Sequence, residues 1–246
     1  MRLPENAVHT ALLSSWGLSQ QGDVYKENQD SFLNWPDKRF WSVADGVGGT
    51  QHGAEASKII MRSFLALKNP DSLESFIADT RSKIAESNDD LYNQRIVSGS
   101  AASTVVTLLM HGGQAACLWA GDSRCYLLRN EVLYQCTHDH TLRQHKIDRK
   151  ELTVPEAYRM IKGNVITNAI GAQAELQLDE VRFVLHAGDR FLLCSDGLSN
   201  TLNPVALKQY MLRGTPKECC DAISNSLHGR RIEDNVTFIA VFISRA

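Results

Sequence analysis

The sequence has no apolar run that approaches the roughly 20 residues of a membrane span. Its first residues, MRLPENAVHTALLSSWGL, also lack the continuous apolar stretch of a secretory signal peptide. These absences argue against a membrane-spanning or secreted protein. We therefore expect a cytoplasmic protein that makes no contact with a membrane.

Basic runs of the kind that bind phosphate backbones or anionic lipids are also missing. The 26 Lys and Arg residues are outnumbered by 28 Asp and Glu residues, which gives a net charge of −2. A nucleic-acid-binding surface normally requires a basic patch. We therefore expect no nucleic-acid partner.

Cysteine is present, but no two cysteines have the CxxC spacing of a metal-binding or redox motif. A disulfide framework is typical of smaller secreted chains. We expect the six cysteines to be reduced and packed as small apolar side chains. They are Cys117, Cys125, Cys136, Cys194, Cys219 and Cys220.

The sequence does contain a series of short apolar runs rich in β-branched and aromatic residues, which predict strands. The predicted strands lie near 11–18, 30–35, 39–44, 103–111, 114–120, 124–129, 131–136, 178–186, 190–195 and 235–243. Short turns join several of these runs, which favours antiparallel pairing.

Helical patterns occur in two pairs, each inserted between blocks of strands. Two helices are predicted between about 53 and 95, and two more at 204–213 and 216–228. This order differs from the strand–helix alternation of parallel doubly wound folds, so we predict an α+β fold. The polar, His-rich segment 139–164, with a short helix at TVPEAYRMI, is predicted to leave the core as a flap beside a site. No linker or repeat divides the chain, so residues 1–246 are predicted to form one domain.

Acidic residues recur at the ends of the apolar runs. Asp45, Asp122 and Asp196 each follow such a run, whereas Asp30 and Asp234 precede one. Any one of them could simply form a turn or cap a helix. Asp45 and Asp196, however, are expected to precede a loop with a helix some distance on, and so do not make two-residue hairpins. If the strand ends meet, the clustered carboxylates repel one another, and a divalent cation would resolve that conflict.

The residue types around these acids favour a hard cation. Carboxylates, a backbone carbonyl and water are the ligands of Mg²⁺ and Mn²⁺. Gly46 lacks a Cβ, so we expect its backbone to approach an ion and to offer a carbonyl. Two cations bridged by one carboxylate can hold a hydroxide and polarise a phosphoryl group. Zinc is less favoured, although His138, His140 and His145 leave a zinc hydrolase open as an alternative.

Eight segments, taken in order, resemble the metal-dependent protein phosphatases, the type 2C Ser/Thr phosphatases, and most of all their compact single-domain bacterial members. The segments are ENQDSF, VADGVGG, STVVTLL, AGDSRCYLLR, THDHTL, VITNAIG, LLCSDGLSN and EDNVTFIAV. The resemblance runs from about Gly17 to Val241, and the combination of GDSR, SDGL and DN is what makes it specific. It implies a four-layer αββα sandwich, in which two packed antiparallel sheets carry a helix pair on each outer face.

The resemblance also implies a role for each acid. Asp45 would bridge two Mn²⁺ or Mg²⁺ ions, and the Gly46 carbonyl would bind one of them. Asp196 and Asp234 would complete the protein ligands of the other ion. Asp122 would help to hold a weaker third ion, shared with Asp196. The nucleophile would be a metal-bound water rather than a side chain, so that no phosphoenzyme forms.

Three positions depart from the family pattern. Where an Arg often binds the substrate phosphate, this sequence has Tyr25, and the neighbouring Lys26 would supply a charge but not a planar fork. Gln29 replaces the usual Glu before Asp30, the acid expected to lie behind the metal ligands; Gln29 can hold a metal-bound water but brings no charge. Val47 stands where eukaryotic members have a His that acts as general acid, and losing such help costs typically about 10²–10⁴-fold.

The resemblance therefore implies a Mn²⁺- or Mg²⁺-dependent phosphatase that acts on phosphoserine and phosphothreonine in proteins, opposes a bacterial Ser/Thr kinase and is a monomer. Residues 141–163 would form the flap that shapes access for the phosphoprotein. Two alternatives stay open, a catalytically silent pseudophosphatase that binds phosphoproteins, motivated by Tyr25 and Gln29, and a hydrolase of small phosphoesters. A pseudoenzyme usually loses metal-ligand acids, and this sequence keeps them.

Overall fold

The computed structural model describes residues 12–47, 51–98 and 101–244. Its strands form two sheets, and every strand pair within the described segments is antiparallel. The first sheet has the order β1 (Leu13–Gln20), β11 (Val236–Ile243), β10 (Arg190–Cys194), β7 (Arg124–Arg129) and β8 (Val132–Gln135). The second has the order β2 (Asp30–Trp35), β3 (Phe40–Val47), β5 (Val105–His111), β6 (Gln114–Ala120) and β9 (Asp179–Val184), with the short β4 (Ala102–Ser103) paired to the end of β3.

A pair of helices covers the outer face of each sheet. The helices α1 (Gln51–Phe64) and α2 (Leu73–Ser98) pack on the second sheet, and α6 (Pro204–Met211) and α7 (Pro216–Leu227) pack on the first. Buried residues of α1 follow helical spacing, at positions 57, 60, 61 and 64. This arrangement confirms the predicted α+β class and the four-layer αββα sandwich.

Local sequence signals set the helix starts. Ser72 precedes α2, and its Oγ accepts a hydrogen bond from the Ser75 amide at 3.1 Å. Thr215 and Glu218 form a reciprocal capping box at the start of α7, whose first residue is Pro216. These caps satisfy amides that no helical carbonyl reaches, and so fix where each helix joins its sheet.

The alternation of side chains along each strand decides which residues lie between the sheets. In β3, Phe40 and Ala44 pack in the cluster beneath α1 and α2, whereas Trp41 and Val43 join the cluster between the two sheets. Because successive side chains of a strand point to opposite faces, Asp45 belongs to the face between the sheets. The same rule assigns Asp30 to that face, since it lies directly opposite Asp45.

Two local predictions were wrong. The helix expected some distance after Asp196 begins at that residue, as the short α5 (Asp196–Thr201), because Ser195 is extended and ends the strand immediately before it. The flap segment contains two helices instead of one, α3 (Leu142–Asp148) and α4 (Val154–Met160). The first was missed although Thr141 caps it, with its Oγ accepting from the Gln144 amide.

The cysteines match their predicted state. All six are free, and all except Cys136 are buried. None of the helices in the described segments is long and apolar enough to cross a membrane.

Candidate active site

Asp30 and Asp45 form a directly opposed pair on β2 and β3. Opposed residues of an antiparallel pair have Cβ atoms about 4.5–5.5 Å apart, so their two carboxylates are close neighbours. Thr104 fixes the backbone there, because its amide donates to the Asp45 carbonyl at 2.8 Å and its hydroxyl accepts from the Asp45 amide at 3.1 Å. The end of the second sheet therefore presents two acids toward the first sheet.

Asp196 and Asp234 come from the ends of β10 and β11, which are adjacent strands of the first sheet. Gly197 packs tightly beside them, since an added Cβ would lie 2.1 Å from the Asn235 carbonyl oxygen. A side chain at position 197 would push the start of α5 away from the start of β11. This close approach keeps the two acids at one corner of the sheet.

Two hydrogen bonds join the acid-bearing ends of the two sheets. The Ser195 hydroxyl donates to Asp30 Oδ2 at 2.8 Å and accepts from the Thr237 amide at 3.0 Å. The Gln29 amide donates to Asn235 Oδ1 at 2.8 Å. The acids of both sheets therefore share one end of the sandwich, as the strand-end pattern predicts.

Burial and the charges of neighbouring acids raise the pKa values of Asp30, Asp45, Asp122 and Asp234. Burial raises the pKa of Asp45 well above its usual range, and the charges of Asp30, Asp196, Asp122 and Asp234 add to the effect. Burial, with the Asp196 charge adding to it, raises the pKa of Asp30 to about 7 and that of Asp122 to about 8. Burial and the Asp196 charge also raise the pKa of Asp234. A cation bound among the carboxylates would remove this repulsion.

The two carboxylate oxygens of Asp196 have different surroundings. Oδ2 accepts from Asn164 Nδ2 at 2.8 Å and from Asn200 Nδ2 at 3.1 Å. Oδ1 is buried and has no hydrogen-bond partner in the described segments. Leaving a buried charged oxygen without a partner is costly, and a cation is the partner that fits it.

Similar oxygens occur on Asp30 and Asp122. Asp30 Oδ1 and both oxygens of Asp122 are buried and meet no donor among the residues that the structure describes. Asp122, in the turn after β6, is 2% exposed. Carboxylate oxygens of this kind are the ligands that Mg²⁺ and Mn²⁺ prefer, so the residues present fit the predicted ions.

Side chains alone do not complete a metal site. Across residues 12–47, 51–98 and 101–244, no group of three or more His, Cys, Asp and Glu side chains is arranged to hold an ion by itself. An ion here would need a backbone carbonyl and water besides its carboxylates. That ligand set is typical of Mg²⁺ or Mn²⁺ and differs from the closed Cys and His cages of structural zinc.

An open cleft of about 940 Å³ lies over the acids. Its wall includes Asp45, Gly46, Asp196 and Asp234, together with Gln29. The residues predicted to hold the two central ions therefore face one accessible space. Water and a phosphate ester have room to reach them there.

Asp30 and Asp122 do not belong to this wall. Both are buried, with exposures of 7% and 2%. Asp30 lies directly opposite Asp45 on the neighbouring strand. Burial, and after it the charge of Asp196, raises the pKa of Asp122, so the Asp122 carboxylate lies close enough to Asp196 to be affected by its charge.

Packing requires a glycine at position 46, whether or not an ion binds there. A Cβ added there would lie 2.3 Å from the Gly53 carbonyl oxygen and 2.9 Å from that of Gln29. The Gly46 amide also donates to the Gln29 carbonyl at 3.2 Å. The missing side chain therefore lets α1 and the residues before β2 close around the end of β3.

Of the two residues expected to contact the substrate phosphate, Tyr25 lines the cleft and Lys26 does not. Lys26 is exposed. The charge of Asp234, then burial, then the charges of Asp196 and Asp45 raise the pKa of the Tyr25 phenol. The phenol therefore lies near the acids and keeps its proton, which makes it a hydrogen-bond donor facing the cleft.

The flap contributes residues to the cleft that the sequence patterns did not single out. Arg143 of α3 and Tyr158 of α4 line it, with the guanidinium carbon 4.2 Å from the centroid of the Tyr158 ring. Arg143 also donates to the Ile161 and Gly163 carbonyls, both at 3.1 Å. Asn164 then connects the end of the flap to the acid cluster. The flap is thus one hydrogen-bonded unit that reaches the site.

Some of these missed residues carried a local signal and others did not. Asn200 stands four residues after Asp196 on the same short helix, a spacing that brings side chains together. Asn164 and Arg143 carry no such signal, because only tertiary folding brings them to the cleft. Arg230 and Arg231, which also line it, lie in the unpatterned stretch before β11.

The histidines do not form a zinc site. His138 Nε2 lies 2.7 Å from Asp148 Oδ2, and His140 Nε2 lies 3.3 Å from Asp179 Oδ2. His145 is exposed on α3. These side chains serve different parts of the flap and its attachment, so the zinc hydrolase alternative is not supported.

Comparisons with known proteins agree with one another. The family model described as protein phosphatase 2C matches residues 23–227. The chain is 28% identical over 237 residues to the serine/threonine phosphatase stp of Listeria monocytogenes serotype 4b (strain F2365), covering 91% of this chain and 93% of that one.

Solved structures give the same result. The fold is similar to that of PppA, a key regulatory component of T6SS in Pseudomonas aeruginosa, with a TM-score of 0.86 and 33% identity over 97% of this chain and 100% of that one. It is also similar to the catalytic domain of the serine/threonine protein phosphatase PstP in complex with two manganese ions. There the TM-score is 0.82 and the identity 27%, over 96% of this chain and 100% of that one.

Proposed function

The chain belongs to the protein phosphatase 2C family, and we propose that its cleft hydrolyses phosphoserine and phosphothreonine side chains of proteins. One observation carries this function. Carboxylate oxygens that meet no hydrogen-bond partner in the described part of the chain lie together at one end of the sandwich, in and beside the wall of an open cleft. Divalent cations bound to such oxygens provide the chemistry of phosphate-ester hydrolysis.

Four residues are our candidates for holding two Mn²⁺ or Mg²⁺ ions: Asp45, Gly46 through its carbonyl, Asp196 and Asp234. When bound, the ions supply an activated water and offset charge on the phosphoryl oxygens. Asp122, together with Asp196, would hold a third and weaker ion. The two manganese ions bound by the PstP catalytic domain support this assignment.

Other residues would act behind these ligands. Asp30, held by Ser195 and opposed to Asp45, would support the position of the Asp45 carboxylate. Gln29 is buried at the cleft wall and would hold a water beside an ion without adding charge.

The phosphate of the substrate would meet the Tyr25 hydroxyl, which donates a hydrogen bond. Lys26, outside the wall, would add only a distant positive charge. Val47 lines the cleft and has no proton to give, so the leaving serine or threonine oxygen would take its proton from water.

The pseudophosphatase alternative is not favoured, because the acids that would hold the ions are present and crowded together. The cleft is also open to solvent and has the flap residues Arg143 and Tyr158 in its wall, which favours a protein substrate over a small phosphoester.

We also infer that the substrate is a protein phosphorylated by a bacterial Ser/Thr kinase and that the enzyme is a cytoplasmic monomer. The serine/threonine phosphatases among its relatives support the substrate class. Light scattering would test the monomer, and cell fractionation the compartment. A deletion strain that accumulates no phosphoserine or phosphothreonine protein would contradict the kinase link.

The proposal is tested with residues 1–246, p-nitrophenyl phosphate and a phosphothreonine peptide. We expect turnover of both substrates with Mn²⁺, loss of turnover in EDTA, and recovery when Mn²⁺ is restored. Absence of turnover, or turnover that survives chelation, from protein shown to be folded by circular dichroism would contradict it.

A matched variant, Asp196→Asn, tests the site itself. In this variant Asn164 and Asn200 would donate their hydrogen bonds to the amide oxygen of the new asparagine. Its NH₂ group, which is a donor and cannot bind a cation, would then face the position of the ion. We expect turnover to fall by roughly a thousandfold, while the chelated protein unfolds at no lower temperature because one repelling charge is gone. Asp37→Asn changes an exposed acid outside the cleft wall and serves as control. Near-native turnover of the Asp196 variant would mean that the centre lies elsewhere.

A further inference from the structure

Two adjacent arginines, Arg230 and Arg231, lie in the cleft wall beside Asp234 and Glu233. Both are exposed. Neither guanidinium has an ion pair or side-chain hydrogen bond within the described segments. Arg124, by contrast, is held by Asp139 at 2.6 Å. The two cleft arginines therefore keep their donors available to a ligand.

The loop that carries these arginines is held at both ends. On one side the Arg230 amide donates to the Leu227 carbonyl at 3.1 Å, in a turn where Gly229 has a φ of 76°. On the other side Ile232 is buried, its amide donates to Asp23 Oδ2 at 2.7 Å, and its carbonyl accepts from the Asp23 amide at 2.8 Å. The backbone is thus positioned while the guanidinium groups extend from it, as a recognition element requires.

The distance between the two arginines and the acids is similar to the distance between a phosphorylated residue and its neighbours in a peptide. Arg231 and Arg230 precede Asp234 by three and four residues, so their Cα atoms lie within about 14 Å of its Cα. In an extended peptide, residues two and three positions from the phosphorylated one lie roughly 7 and 10 Å away. Side chains of those flanking residues would come within reach of the arginines.

We propose that Arg230 and Arg231 select substrates with acidic side chains close to the phosphorylated residue. A guanidinium is always charged and binds a carboxylate with two parallel hydrogen bonds. The inference rests on the phosphatase function proposed above and adds a sequence preference to it. Exposed charge pairs are individually weak, so the preference is about three- to tenfold in kcat/KM and decreases as ionic strength rises.

The test compares two phosphothreonine peptides that differ only in Glu against Gln at the flanking positions. The measured quantity is the ratio of their kcat/KM values with Mn²⁺. We expect a ratio of about three to ten for the unchanged protein and about one for the double variant R230A/R231A. The matched control R62A/R213A removes two exposed arginines that lie outside the cleft wall, with the same change in charge, and should keep the original ratio.

Several results would overturn the inference. One is a ratio near one in the unchanged protein, and another is an unaltered ratio in R230A/R231A. A rise in KM for p-nitrophenyl phosphate as large as that for the Glu peptide would show that the arginines bind the transferred phosphate instead. A lower unfolding temperature with an unaltered ratio would assign them to stabilising the C-terminal end of α7.

A failure of the phosphatase function itself is recognised separately. It would appear as no turnover of p-nitrophenyl phosphate by the unchanged protein with Mn²⁺. In that case fluorescence anisotropy of the labelled Glu and Gln peptides makes the same comparison by binding. Equal affinities in the unchanged protein would then overturn the preference.

Discussion

Tyr25 stands where the family often has an arginine, and this difference changes how the phosphate would be held. A phenol provides one donor and no charge, whereas a guanidinium provides several donors and a full positive charge. The nearby carboxylates raise the pKa of Tyr25, so its hydroxyl stays protonated at physiological pH. The residue is therefore suited to donate a hydrogen bond but not to neutralise an anion.

Tyr25→Phe removes that donor and keeps the ring. We expect KM for p-nitrophenyl phosphate to rise about ten- to hundredfold, because a hydrogen bond to a charged group contributes roughly 1.5–3 kcal/mol, with a smaller change in kcat. Steady-state kinetics with Mn²⁺ measure both. Lys26→Ala, one residue along and outside the cleft wall, is the control. A higher KM for the Lys26 variant and none for the Tyr25 variant would reverse the assignment.

At the residue scale, the sequence indicates the acids more clearly than the groups that orient them. Asp45 and Asp196 are visible because a carboxylate that ends an apolar run is a local pattern. Asn164 and Arg143 belong to a segment whose composition indicates only that it is polar. Their roles depend on where the flap folds back, which no short-range pattern encodes.

At the element scale, the flap is connected to the acid cluster through Asn164. Its amide donates to Asp196 Oδ2 at 2.8 Å, just beyond the two flap helices. Asn200 donates to the same oxygen from α5 at 3.1 Å. The orientation of one carboxylate therefore depends on two different elements, of which one lies in the flap.

Asn164→Ala should weaken Mn²⁺ binding by about 10–100-fold, because groups that orient metal ligands typically contribute that much. The readouts are the Mn²⁺ concentration that gives half-maximal activity and the affinity from calorimetry. Asn93→Ala, an exposed residue of α2, is the control. An unchanged Mn²⁺ affinity with a higher KM for the phosphopeptide alone would assign the contact to substrate access instead.

A strand or helix could be predicted from the sequence where its periodic pattern is long. The prediction failed where a short motif is compatible with two local structures. The strands and both helix pairs follow from apolar runs and helical spacing. The start of α5 was missed because Asp196-Gly197 after a strand also has the pattern of a turn. In the structure Ser195 is extended and α5 begins directly after it, with Gly197 packed closely against Asn235.

At the scale of the whole molecule, the net charge of −2 conceals a local concentration of negative charge. Five carboxylates lie at one end of the sandwich, and each raised pKa among them has burial as its largest cause and another of these acids among the rest. The apolar cluster between the sheets and the ties made by Ser195 hold the sheet ends in place against this repulsion. We therefore expect the metal-free protein to become less stable as the pH rises and these carboxylates ionise.

The pH dependence of the metal-free protein tests this directly. In the folded state the pKa values of Asp30 and Asp122 are about 7 and about 8, against roughly 4 in an unfolded chain. Between about pH 4 and pH 8 the folded state thus binds more protons than the unfolded state, so the free energy of unfolding falls as pH rises. In EDTA we expect a higher Tm at about pH 5.5 than at about pH 8, by several degrees, since 1 kcal/mol corresponds to roughly 2–4 °C.

Mn²⁺ should reverse this trend, because the ions replace protons as partners of the carboxylates. Its stabilising effect, measured by differential scanning fluorimetry, should be largest at about pH 8 and small at about pH 5.5. Asp122→Asn removes one of the titrating groups and should flatten the slope in EDTA. A Tm in EDTA that rises over this range, or equal stabilisation by Mn²⁺ at both pH values, would mean that the buried acids do not bind protons and cations at the same place.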